Sequence, residues 1–266
     1  MIDLHCHMLP AIDDGAPDWE TALEMARLAL GDGITFTVCT PHIYPGLYDN
    51  SAQGICASMA VFEERLQQRG LSLKLGYGAD VHLVPDLLAG LRGGRIPTLN
   101  GSRYFLLEPP HHVAPPRLME ICFALLMAGY IPVITHPERL SWIEDHYELF
   151  QELAYRGAWM QVTAGSLTGR FGPQARYWAE RMLNEGLVHL LATDAHGVQH
   201  RPPLLAEGRQ VAERWLGPQE AMRLVEERPR GVIHDLDPNQ LPIPPGLLSP
   251  DRKKRRISAS FWRQLL

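Results

Sequence analysis

Seven short apolar runs recur along the chain, each followed by a longer stretch of helical spacing, and this alternation predicts βα units around a parallel sheet. The runs lie at 2–5, 34–40, 73–79, 104–108, 131–135, 159–163 and 188–193. Helices are expected over 17–30, 51–69, 116–127, 142–156 and 173–185, the first opened by Pro17 and the set closed in turn by Gly31, Gly70, Gly129, Gly157 and Gly186. A further helical region covers about 204–227, and the proline-rich stretch 241–250 reads as extended chain. The pattern predicts an α/β fold, a (β/α)7 TIM-like barrel over 1–240 with an appendage at 241–266. An open doubly wound sheet is the competing architecture, but neither Gly-x-Gly-x-x-Gly nor a P-loop follows any run.

In a (β/α) barrel the chemistry sits at the C-terminal ends of the strands. Here those ends carry His5-Cys6-His7, Thr40-Pro41-His42, Asp80, Glu108, His136 and Asp194-Ala195-His196, with Asp13 and Asp14 in the loop after the first strand. Side chains two apart on a strand point the same way, so His5 and His7 can reach one ion, and Asp194 with His196 repeats the spacing. Imidazoles mixed with carboxylates suit Mn, Fe or Zn better than Ca or Mg, and so many donors exceed what one ion takes, which implies two or three metals. Carboxylates such as Glu108 would bridge them. His82 lies two beyond Asp80 and reads as structural or substrate-facing. His111 and His112 read as a mouth or loop pair, and His146, His189, His200 and His234 as surface or capping residues.

Composition narrows the picture. The 266 residues are 45% hydrophobic and 21% charged, enough for a large buried core. No window approaches the ~20 uncharged apolar residues of a membrane span, and Met1-Ile2-Asp3-Leu4-His5 does not open like a signal peptide, so a cytoplasmic protein is expected. Cys6, Cys39, Cys56 and Cys122 form no Cys-x-x-Cys pair and read as reduced, buried thiols. The net charge of −5 divides into +5 over residues 251–266 and −10 over the rest. An acidic body gives no support to a nucleic-acid surface. The basic tail has two readings, a solvated end or, with Ile257, Phe261, Trp262, Leu265 and Leu266, a peripheral contact with anionic lipid.

At these residues the sequence resembles the PHP (polymerase and histidinol phosphatase) superfamily and, more narrowly, the bacterial manganese-dependent protein-tyrosine phosphatases of capsule and exopolysaccharide loci. The matching segments run in order from Met1-Ile-Asp-Leu-His-Cys-His7 and Asp13-Asp-Gly15 through Thr40-Pro-His42, Tyr77-Gly-Ala-Asp80, Arg95-Ile-Pro-Thr-Leu-Asn100 and Glu108. They continue with Thr135-His-Pro-Glu-Arg139, Ala192-Thr-Asp-Ala-His196 and Arg201-Pro-Pro203. The resemblance implies a distorted PHP barrel in which His5, His7, Asp14, His42, Asp80, Glu108, His136, Asp194 and His196 hold a trinuclear Mn2+ centre while Arg139 and Arg201 hold phosphate. Its implied partner is the phosphotyrosine tail of a bacterial tyrosine kinase at the inner membrane that regulates polysaccharide export. Asp80 departs from the family's usual glutamate, and its shorter side chain would bind through water or weaken the third site.

A hydrolytic mechanism also follows from general chemistry. Bound metals lower the pKa of water toward ~7, and a phenolate leaving group of parent pKa ~10 needs little protonation, so direct attack by a metal-held hydroxide is expected. Cysteine chemistry would need an arginine six positions beyond the nucleophile, where Cys6, Cys39, Cys56 and Cys122 are followed by Ile12, Pro45, Phe62 and Ala128. The amidohydrolase alternative often uses a carboxylated lysine, but the three lysines, Lys74, Lys253 and Lys254, avoid the strand ends. A small-molecule phosphomonoesterase such as histidinol phosphatase is the main alternative, and a non-catalytic module that kept the fold is another.

Overall fold

The computed structural model describes residues 1–248. Nine strand segments make seven barrel strands: β1 (Ile2–Cys6), β2 (Phe36–Cys39) continued as β3 (His42–Ile43), β4 (Lys74–Tyr77) continued as β5 (Asp80–His82), β6 (Tyr104–Glu108), β7 (Ile131–Thr135), β8 (Trp159–Thr163) and β9 (Leu190–Ala192). All pairings are parallel, in the order β1-β2-β4 and β3-β5-β6-β7-β8-β9. The runs expected at 34–40 and 73–79 appear as β2 and β4, and each barrel strand resumes after a two-residue break, beyond the expected end, the first after Thr40-Pro41, where proline has no N–H to give the ladder.

The ring closes between β1 and β9 through little regular ladder. A single bridge joins Cys6 and Ala195; His7 N donates to Ala195 O at 2.9 Å and Asp194 N to His5 O at 2.8 Å. Below it the buried Asp3 carboxylate accepts from Thr193 N at 3.0 Å and from Thr193 Oγ1 at 2.5 Å. Burial, only partly offset by these bonds, pushes Asp3 up to about 6. The register of β1 against β2 shifts between Asp3 and Cys6. Ile2 and Leu4 therefore pack with the barrel-interior cluster while Cys6 packs with the outer shell, and the bulge turns the following residues toward the mouth.

Helices α1 (Trp19–Gly31), α2 (Ala52–Gln68), α3 (Leu87–Arg92), α4 (Leu118–Met127), α5 (Ile143–Tyr155), α6 (Ala164–Leu167) and α7 (Gly172–Asn184) surround the strands. The Asp18 and Ser51 side chains cap α1 and α2 by accepting from Thr21 N and Gly54 N. Two short helices, α3 and α6, were not signalled by periodicity. The helical region expected at about 204–227 comprises α8 (Ala206–Leu216), α9 (Pro218–Met222) and a π-turn (Arg223–Glu227), with Gly217 at φ 80° and Pro218 parting α8 from α9, and α10 (Arg228–Ile233) continues it.

The barrel interior is filled by Ile2, Leu4, Val38, Tyr104, Leu106, Val133, Trp159 and Leu190, sealed from beneath by Val232 and Leu241. The floor is tied down by polar groups. Arg103 bonds Asp235 and Asp237, each at 3.0 Å, and Tyr104 Oη donates to Leu236 O at 2.8 Å. Arg228, fully buried, bonds Glu220, donates to Pro242 O at 2.7 Å and to His189 O at 3.3 Å. Residues 241–248, expected as extended chain, instead return under the barrel, where Gly246 N donates to Gly186 O and a 3-10 turn forms at Pro245–Leu247. His189 is likewise a buried floor residue and not a surface or capping one: its Nδ1 accepts from Met160 N and its ring stacks on Trp159. The basic segment 251–266, with its lipid reading, lies outside the described residues.

Candidate metal centre

The strand ends bring all nine sequence-predicted donors to one mouth. His5 Nε2 lies 3.1 Å from His7 Nε2, 3.2 Å from Asp194 Oδ1 and 3.3 Å from Asp80 Oδ2. Asp14 Oδ1 sits between His42 Nε2 at 3.5 Å and His196 Nε2 at 3.4 Å. Glu108 faces His42 Nδ1 at 3.4 Å through Oε2 and His136 Nε2 at 3.5 Å through Oε1. The donors fall into overlapping groups whose ligating atoms lie within 4.8 Å of one another: His7, Asp14, His42, His196; His5, His7, Asp80; and His5, His136, Asp194.

Local chain geometry explains how loops place these groups. A Cβ on Gly15 would lie 2.1 Å from His7 O, so only glycine lets the 11–16 loop fold onto His7 and deliver Asp13 and Asp14. His136 and Asp194 both hold left-handed backbones, at φ 34° and 50°, costing ~1–2 kcal/mol each. Asp194 therefore follows a turn beyond β9, and its pairing with His196 does not come from strand alternation as the spacing suggested.

Several donor atoms are held only by one another. His42 Nδ1, both Asp80 oxygens, His136 Nδ1 and His196 Nε2 are buried without an aligned hydrogen bond, and around them, among the described residues, Asp80 Oδ2 meets only His5 and His42, and His196 Nε2 only Asp14. Buried polar atoms ordinarily find partners, so this concentration of lone pairs fits cations between them. The outward faces of the imidazoles are by contrast engaged: His5 Nδ1 meets Gln161 Oε1 at 2.8 Å, His7 Nδ1 meets Asp13 Oδ2 at 2.7 Å and His196 Nδ1 meets Asp194 O at 3.0 Å. Such contacts fix the tautomer that leaves Nε2 free for a metal.

Electrostatics divide that donor set between neutral and charged rings. Burial, reinforced by the neighbouring His7, holds His196 down to about 4; burial likewise lowers His42, and burial with Arg139 lowers His136, so these rings stay neutral. Burial would depress His7 too, but Asp13 and Asp194 outweigh it and raise it to about 10. Burial opposes ionisation of Asp194 and Glu108, yet His5, Arg201 and Arg139 around Asp194, and His111 and His82 around Glu108, hold both well below the carboxylate range.

Arg139 and Arg201 converge on the same Asp194 oxygen, the latter at 2.6 Å, and both guanidinium groups lie over the Phe171 ring, at 4.2 and 5.9 Å. They share a cavity of about 240 Å³ with Asp14, His42, Glu108 and His136. Cys6 contributes nothing there: its Sγ turns to Ala195 O at 3.9 Å and burial drives the thiol well up.

Three residues beyond the nine donors also reach the site: His82, His111 and Asp13. His82 Nε2 is 2.5 Å from Glu108 Oε2 and His111 Nε2 is 3.1 Å from Glu108 Oε1, so Glu108 sits among four imidazoles. Asp13 also accepts from His42 N at 3.0 Å and so holds two donor-bearing segments. Gln161 was signalled only as a polar residue inside an otherwise apolar strand.

A closed parallel barrel with clustered imidazoles, carboxylates and paired arginines at its C-terminal mouth defines a metal-dependent hydrolase architecture. Residues 1–234 match the capsular polysaccharide synthesis family CpsB/CapC, and the chain belongs to that family. It is 35% identical to the tyrosine-protein phosphatase YwqE of Bacillus subtilis over 85% of this chain and 89% of that protein. It is 28% identical to the tyrosine-protein phosphatase CpsB of Streptococcus pneumoniae, over 88% of this chain and 99% of the relative. Among solved structures, one described as belonging to the metal-dependent tyrosine phosphatases YwqE of B. subtilis and CpsB of S. pneumoniae superposes with a TM-score of 0.86 at 33% identity, covering 89% of this chain and 96% of that one. A dihydropyrimidinase from Brevibacillus agri, at TM-score 0.53 and 11% identity over 88% of this chain and 70% of its own, shares the fold alone.

Proposed function

We propose that this chain is a metal-dependent phosphatase that hydrolyses phosphotyrosine on a bacterial tyrosine kinase in capsular or exopolysaccharide synthesis. The observation that carries the reading is the set of buried nitrogen and oxygen donors, several without an aligned hydrogen bond, beside two convergent arginines in one cavity. His5, His7, Asp14, His42, Asp80, Glu108, His136, Asp194 and His196 would hold two or three ions, Mn2+ in preference to Fe or Zn. When bound, the ions acidify water and neutralise charge on phosphoryl oxygens.

The protein's own groups supply the rest. Arg139 and Arg201 give a forked donor surface suited to a phosphoryl group, and Arg201 Nε, buried without a partner, is a donor still free to take an oxygen. Phe171 supports both guanidinium planes. Gln161 and Asp13 hold His5 and His7 in orientation. A phenolate of parent pKa ~10 leaves toward the open mouth without a dedicated acid.

Among the described residues no helix is long and apolar enough to cross a membrane. The reading places the enzyme in the cytoplasm, meeting its kinase at the inner membrane face. Phosphate release with manganese from a phosphotyrosine peptide, a phosphoserine peptide, histidinol phosphate and a nucleotide monoester tests it, with metal analysis alongside. Preference for the phosphotyrosine peptide with at least two ions per chain is expected. Preference for histidinol phosphate, or fewer than two ions, would overturn it.

A further inference from the structure

The cavity that holds the arginines is polar on every side but one. On that side the turn at 44–48 brings Tyr44, Leu47 and Tyr48 to the rim. Tyr44 is 41% and Leu47 62% exposed, so the two present apolar surface beside a charged site. The turn is nonetheless built. Tyr44 N donates to Tyr48 O at 3.0 Å and Tyr48 N to Tyr44 O at 2.8 Å, while Gly46, at φ 84°, gives its N–H to the Asp49 carboxylate at 2.8 Å. One face of the Tyr44 ring stacks on His82, with centroids 4.0 Å apart and planes within 16°, and Tyr48 stacks in parallel on His42 at 5.7 Å. His82 in turn touches Glu108, so the stack connects the rim to the centre.

We propose that Tyr44 is a specificity-determining residue that holds the aryl ring of an aryl phosphate monoester against its free face while the phosphoryl group lies with Arg139 and Arg201. The inference rests on the phosphatase reading above and sharpens it, since none of the charged groups in the cavity distinguishes a phenyl ester from an alkyl one. His82 fixes the Tyr44 plane before any ligand arrives, so stacking on its other face costs little ordering. Offset-stacked aromatic pairs gain more than the area they bury accounts for, a gain an aliphatic chain against the same ring lacks. Leu47 extends the same apolar surface outward, where the peptide around a phosphotyrosine would run.

The test compares the wild type with Tyr44→Ala and Tyr44→Phe in the manganese-loaded enzyme. The ratio of kcat/KM for a phosphotyrosine peptide to that for a phosphoserine peptide of the same sequence is measured, together with inhibition by phenylphosphonate and methylphosphonate. Tyr44→Ala is expected to lower the ratio about tenfold and to weaken phenylphosphonate selectively, while Tyr44→Phe retains both preferences. A fall equal for both peptides and both phosphonates would show that Tyr44 merely supports His82 and would overturn the proposal, as would an unchanged ratio. A wild type inactive on both peptides would instead defeat the phosphatase reading itself.

Discussion

The two ends of the barrel treat buried polar groups in opposite ways. At the floor, Arg228 is fully buried but its guanidinium meets Glu220, Pro242 O and His189 O, and His189 receives the Met160 N–H. At the mouth, carboxylate and imidazole atoms just as deeply buried crowd one another, several without an aligned hydrogen bond, and two donor residues sit on strained left-handed backbones. Stability demands the first arrangement; the second persists only where a ligand completes it. Substitution should therefore separate the two ends, with loss of function and little loss of stability at the mouth, and the reverse at the floor.

The largest effect is expected for Glu108→Gln, which removes charge from the carboxylate between His42, His82, His111 and His136. Bound metal should fall by at least one ion per chain and phosphate release by roughly 10³-fold, the scale of losing one charge-stabilising group in a sheltered site. In chelator-treated protein the same change should lower the melting temperature only slightly, because the amide oxygen still accepts from His82 or His111 while the charge those rings stabilise is lost. Metal analysis, turnover and thermal melts read the three outcomes. A large fall in melting temperature with full metal content would erase the distinction between mouth and floor.

Arg228→Met probes the opposite end. It takes one of the two arginine partners from Glu220, leaving Arg223 at 3.0 Å, and strips Pro242 O and His189 O of their donor, which together cost about 3 kcal/mol. Denaturant unfolding should show that loss, while kcat/KM per folded molecule stays within about twofold, since the guanidinium lies on the far side of the interior apolar cluster from the metal donors. A selective fall in turnover at unchanged stability would mean that floor and mouth are coupled.

The same contrast explains what could be read from the sequence. Strand-end donors were legible because His5-x-His7, Thr40-Pro-His42 and Asp194-x-His196 follow apolar runs, and barrel topology turns strand ends into one surface. His82, His111 and Asp13 were less so, since their convergence depends on how three loops fall across the mouth, which spacing along a strand does not encode. Arg228 was invisible for another reason. In Glu-Arg-Pro-Arg-Gly a basic residue reads as solvated, and only the returning 241–248 segment buries it. The helical region expected over about 204–227 is present, cut at Gly217-Pro218, a glycine and proline pair inside an otherwise helical pattern.

The smallest expected effect gives the finest test, because it reads a single proton at the floor. Burial, with Arg228 adding to it, holds His189 well below its usual range, so the folded protein keeps this ring neutral while the unfolded chain protonates it near 6.5. Unfolding then takes up a proton as pH falls below about 6.5, and this histidine lowers stability by up to ~1.4 kcal/mol per pH unit in that window. His189→Leu orphans the Met160 N–H, costing about 1–3 kcal/mol at pH 7.5, but removes the proton penalty. The stability gap between wild type and variant should therefore narrow between pH 6.5 and 5.5 when both are unfolded in urea in the same metal-loaded state. Titrations elsewhere in the chain, the metal donors included, cancel in that difference. A gap that stays constant would mean His189 takes up its proton while folded, and the floor would then share the mouth's tolerance for unpaired charge.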